Sequence, residues 1–172
     1  MSTTRILFLL LSLLCSALTS QAQDAGADED YEKRIRQQKI GTRYIPADLA
    51  DAMKTLDALT SEDSKEQYVS RTEDEVVERL FFSFGRWIAI NWGLYDGSRF
   101  SVYLRKLGVD QPDGQKEFIM RAYHQHLRGE SPDVRTLATR YKTQRARADS
   151  IKRAQAHVIE TFVRPAQDST RQ

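Results

Sequence analysis

The chain has 172 residues, of which 40% are hydrophobic and 29% charged, with 26 Lys and Arg against 24 Asp and Glu. This is the composition of a soluble globular protein and excludes a disordered or membrane-embedded chain. Only 8 Gly and 4 Pro interrupt it, so the long stretches between them favour helices over a turn-rich all-β fold.

The first 22 residues read as a secretory signal peptide. Arg5 precedes an apolar run, Ile6 to Cys15, broken only by Ser12. Ser20-Gln21-Ala22 then places small residues at the −3 and −1 positions of a cleavage site near Ala22. The apolar run is too short for a comfortable membrane span. Leu14 before Cys15 argues against a lipoprotein, whose processing wants a small residue there. Cleavage removes Cys15, so a mature chain has no disulfide and no thiolate site. The expected localisation is exported, periplasmic or secreted, with no transmembrane span in the mature chain.

Residues 23–43 are polar and begin with an acidic patch, which predicts a flexible lead-in with at most a helical turn near Ile35. Pro46 suits a first helical position, and Leu49, Ala52, Met53, Leu56 and Leu59 follow as one stripe. A short acidic helix spans Ser61 to about Tyr68. Thr72 and Glu75 make a capping box for the next helix, over 73–92. That helix is apolar on most sides and is expected at the centre of the fold. Gly85 within it predicts a close helix crossing, because a mid-helix glycine is otherwise unfavourable by about 1 kcal/mol. Gly93 stops it, Tyr95-Asp96-Gly97 turns, and Ser98 caps a helix carrying Phe100, Tyr103, Leu104 and Leu107. Pro112 opens another helix, with Ile119, Ala122, Tyr123 and Leu127 on its apolar face, ended by Gly129. Residues 129–172 form a basic C-terminal extension, one long or broken helix whose seam runs from Val134 to Phe162. The fold class is all-α: a compact bundle of about five or six helices around the 73–92 helix.

Asn91-Trp92-Gly93-Leu94-Tyr95-Asp96-Gly97-Ser98-Arg99, with Tyr44-Ile45-Pro46 before it and Gly108, Pro112-Asp113 and Tyr123-His124 after it, resembles a bacterial family known only as a domain of unknown function. The resemblance covers residues 44–128. It implies a helical domain with those boundaries and supplies no activity.

The corner from Asn91 to Arg99 is the best candidate site. Trp92 and Tyr95 offer surfaces for a sugar or a protein partner, and Asp96, Ser98 and Arg99 add polar groups on a loop between helices. The same residues also fit a structural corner, in which Ser98 caps, Arg99 pairs with Asp96 or with orphan carbonyls, and Trp92 fills the core. His124 is the other candidate, at the edge of its helix, whereas His126 falls within the apolar stripe. The leading expectation is a non-enzymatic envelope protein that binds another protein or a cell-wall ligand through the Trp92–Arg99 corner. The alternative is an envelope hydrolase using His124 with Asp96 or Ser98, although Asp96-Gly97-Ser98-Arg99 lacks the nucleophile-elbow pattern.

No catalytic set is assigned. His124 and His126 lie two apart on a helix and point in different directions, so no metal site is expected. No phosphate loop or dinucleotide fingerprint marks a cofactor. Nucleic acid is not an expected partner. The basic residues from Arg135 onward leave a weaker reading of contact with anionic lipid.

Overall fold

The computed structural model describes residues 28–163, with side chains through 156. The signal sequence and Cys15 lie outside the described residues.

The lead-in holds more structure than its composition suggests. A helical segment over 28–34, here α1, is followed by a two-residue hairpin. Strand β1 (Lys39–Ile40) pairs antiparallel with β2 (Arg43–Tyr44) across a turn at Gly41, whose φ is 61°. The lead-in is held in place because its side chains reach the body. Arg34 donates to the Asp96 carbonyl at 3.1 Å, and the Tyr31 hydroxyl accepts from Arg105 at 2.7 Å.

Helix α2 (Leu49–Leu59) starts three residues later than Pro46. Asp48 is the stronger cap, since its carboxylate accepts from the Asp51 amide at 2.9 Å, and Pro46 is left in the approach. Helix α3 (Glu62–Val69) is capped by Ser61, and α4 (Glu73–Leu80) carries both bonds of the Thr72–Glu75 capping box. The rod that α4 begins is not α-helical throughout. A π-helical segment at Phe81–Gly85 interrupts it before α5 (Arg86–Asn91). Gly85 lies against the next-but-one helix, where a Cβ would approach Met120 Sδ to 3.1 Å, so the expected close crossing is present. Helices α6 (Arg99–Lys106), α7 (Pro112–Leu127) and α8 (Val134–Val163) complete the chain. The fold is all-α apart from the small hairpin.

The centre is not the 73–92 rod, however. Phe82 is 82% exposed, and Trp87 and Ile90 are also exposed. The buried centre is α7, which touches α2, α3, α4, the π segment, α5, α6 and α8. Residues 118–124 of α7 are all buried, and so are Gln115 and Lys116. Most of its buried polar groups are inside because they are paired. Gln115 donates to the Val109 carbonyl at 2.9 Å, and the Lys116 ammonium meets Asp113 at 2.7 Å and the Phe81 ring at 3.9 Å. Arg121 is held by Glu73, Asp74 and Glu117 at 3.3, 2.7 and 2.9 Å. Among the described residues, α8 packs apolar side chains on the body through Val134, Leu137, Ala138 and Tyr141; residues 142–156 are exposed, although Arg145 still pairs with Asp110.

Candidate functional site

The Asn91–Arg99 corner is built mostly from inward-facing groups. Gly93 and Gly97 adopt φ of 61° and 86°, a left-handed backbone that L side chains rarely take. At Gly97 a Cβ would also fall 2.4 Å from the Tyr31 ring, so α1 covers this glycine. Trp92 is 1% exposed and meets Phe100 edge-on at 5.3 Å. Ser98 is fully buried, and its hydroxyl accepts from the Ser101 amide at 3.1 Å as the cap of α6. Arg99 pairs with neither Asp96 nor a helix end. Its Nε and Nη2 both donate to the Ile45 carbonyl, at 2.8 and 2.6 Å, and its guanidinium lies over the Tyr44 ring and 3.9 Å from Asp51. Burial pushes the Asp51 carboxyl up, but the Tyr44 hydroxyl, the Ala47 amide and Arg99 together hold it below the usual range. Of the predicted corner residues, only Tyr95 and Asp96 remain at the surface.

His124 is not brought to this corner's polar groups. It is buried, and its Nε2 is 2.8 Å from the Arg71 carbonyl. A carbonyl only accepts, so Nε2 donates to it, and Nδ1 has no hydrogen-bond partner. The histidine ties the α3–α4 connection to α7. His126 is the one at the edge, where it bonds Asp57 at 2.7 Å and stacks on Tyr123. The expected burial of the two is therefore reversed, because α7 is packed on nearly every side near His124. Among the described residues, no group of three His, Cys, Asp or Glu gathers closely enough to hold a metal ion.

The most prominent concavity lies elsewhere. An open groove of about 850 Å³ runs between α2–α3 and the α4–π–α5 rod. Leu56, Leu59, Leu80, Phe84 and Trp87 give it apolar walls, while Arg71, Arg79, Ser64, Gln67 and Ser83 bring polar groups. Phe84 and Trp87 stack with ring planes 7° apart and centroids 6.3 Å apart. Tyr68, buried and donating to the Met120 carbonyl at 3.0 Å, meets Phe84 edge-on. Tyr123 lines the groove with a hydroxyl that has no hydrogen-bond partner. Thr60 and Asp57 are both near it, outside hydrogen-bonding geometry. Burial pushes the Tyr123 phenol up. The π segment supplies Ser83 and Phe84 to this wall. Such segments occur frequently at functional sites, where an extra residue re-aims the side chains around it.

Residues 45–127 match the model of a family described as a domain of unknown function, DUF6794. No curated protein and no solved structure matches the chain. All of the groove's lining residues fall inside the DUF6794 segment, as does the Asn91–Arg99 corner. The lead-in and α8 fall outside it.

A sequence signal for the groove exists within the DUF6794 segment. Val76, Leu80, Ser83, Phe84 and Trp87 recur at i, i+4, i+7, i+8 and i+11, one face of a helix. The rod has a second apolar face through Ile88 and Ala89, which are buried. On the first face Val76 is buried, Leu80 and Phe84 are half-buried and Trp87 is exposed.

Proposed function

We propose that this protein is an exported, non-enzymatic binding module whose ligand lies in the groove between α3 and the α4–π–α5 rod. The observation that carries this reading is the groove itself, about 850 Å³ with apolar walls from Leu56, Leu59, Leu80, Phe84 and Trp87 and a few polar side chains among them, a size and chemistry typical of small-molecule sites. Export rests on the apolar run from Ile6 to Cys15 and the small residues before Gln23. The non-enzymatic reading rests on the other candidates' own bonds: Ser98 is used as a helix cap and His124 as an anchor for Arg71. The Trp92–Arg99 corner supports the groove as a joint; its buried tryptophan and half-buried arginine hold α5, α6 and the approach to α2 together.

Nile red, an uncharged dye that brightens in apolar surroundings, tests the groove. Purified protein is expected to bind it saturably. Leu59→Asp, at a groove residue that is 61% exposed and so dispensable to the core, is expected to abolish the signal without lowering the melting temperature. Binding that survives both Leu59→Asp and Ser83→Trp would place the dye elsewhere and defeat the groove reading.

Export has its own check. The protein recovered from the cell exterior or periplasm is expected to begin at Gln23 by mass spectrometry. An intact Met1 terminus there would remove the cleaved signal peptide from the proposal.

A further inference from the structure

We infer that the groove's ligand is a single-chain amphiphile with an anionic head, its head at Arg71 and Arg79 and its chain against Phe84 and Trp87. This rests on the groove reading above and adds the chemistry of what fills it.

The charges are arranged for such a head. Arg71 and Arg79 both line the groove. No Asp or Glu is among the groove's lining residues, and Glu75 lies between the two arginines in sequence. Glu75 is already committed: its carboxylate accepts from the Thr72 amide and hydroxyl, both at 2.9 Å, as part of the α4 cap. Among the described residues neither arginine makes an ion pair within 4.0 Å, whereas Arg99, Arg121, Arg140 and Arg145 each do. The charged side chains that line the trench are therefore arginines without ion pairs. Guanidinium groups fork onto carboxylate and phosphate oxygens, and an anion is the group that satisfies them.

The rest of the groove suits a chain. Trp87 follows Arg79 by eight residues and Arg71 by sixteen, so the aromatic end of the wall lies beyond both arginines along the chain. Leu80 and Phe84 lie between Arg79 and Trp87 on the same wall, with Leu56 and Leu59 opposite.

Tryptophan emission gives a direct readout. Trp87 lines the groove and is 38% exposed, while Trp92 is 1% exposed and outside the lining. 9,10-Dibromostearate, used below its aggregation concentration, quenches tryptophan on contact. It is expected to quench the purified protein saturably, and Trp87→Phe is expected to remove most of the quenching. The methyl ester, which lacks the charge, is expected to bind about tenfold more weakly, as is the acid to the Arg71→Gln/Arg79→Gln variant. Equal affinities for acid and ester, unchanged in the double variant, would overturn the anionic head. Saturable Nile red binding without quenching by either bromolipid would overturn the acyl chain while leaving the groove reading intact. Failure of Nile red as well would defeat both.

Discussion

Replacing Arg121 with methionine is expected to destabilise the protein by about 3 kcal/mol, a drop of roughly 10 °C in melting temperature. The side chain is 5% exposed and bonded to three carboxylates from two helices, Glu73 and Asp74 at the start of α4 and Glu117 one turn back on α7. Methionine fills the same space without the charge. What remains is three neighbouring carboxylates with no common counter-ion, of which Glu73 and Glu117 are mostly shielded from water. The figure lies at the low end for a broken buried pair because Asp74 is largely solvated and keeps Arg140, at 2.6 Å.

The pH dependence separates this cause from a packing defect. Hydrogen bonding from Arg121, with Arg140 adding its charge, holds the Asp74 carboxyl below the usual carboxylate range. A carboxyl lowered in the folded state contributes stability above its unfolded value, near 4, and that contribution is lost as pH falls through the folded value. Urea unfolding of the wild type is therefore expected to weaken below about pH 4. The gap between wild type and Arg121→Met is expected to narrow over the same interval, since protonation also relieves the repulsion in the variant. A gap that is constant from pH 7 to pH 3 would mean that the loss is of shape and not of charge.

Much of the fold could be read from local chemistry. Thr72 and Ser98 cap where their side chains can accept from the third amide, Gly93, Gly108 and Gly129 close helices with positive φ, and Gly85 marks a close crossing. These signals are local, and the forces behind them act within a turn or two. The identity of the central helix was not legible for the opposite reason. Counting apolar residues selects the 73–92 rod, yet α7 is inside with Gln115, Lys116, Arg121 and His124 buried. Arg121 and His124 are admitted by partners remote in sequence, Glu73 and the Arg71 carbonyl. Hydrophobic pattern cannot see a pairing of that kind.

The site was legible in part. The Asn91–Arg99 residues do form a special corner, but Trp92, Ser98 and Arg99 turn inward. The groove was hidden because one wall comes from the rod and the other from α2 and α3, and because Arg79 and Ser83 break the apolar run on the rod. The π segment also has no composition signal of its own, and Phe82, inside it, is turned to solvent.

Arg99 and Asp96 distinguish a structural corner from a binding one. Arg99→Ala is expected to destabilise the protein by about 2–3 kcal/mol. It removes two charge-assisted donors from the Ile45 carbonyl, and Ile45 is fully buried, so water does not readily replace them. Arg99→Lys is expected to recover only part of the loss, because an ammonium cannot place two fixed donors on one oxygen while lying flat over Tyr44. Asp96→Ala is expected to melt with the wild type. Its side chain is exposed, and the bond from Arg34 goes to its backbone carbonyl, which alanine keeps. The double variant Asp96→Ala/Arg99→Ala should then match Arg99→Ala alone, and thermal melts of the four proteins measure this directly. If Arg99→Ala instead melts with the wild type, the guanidinium is not holding the corner, and a role in binding another molecule becomes the better account of why it is there.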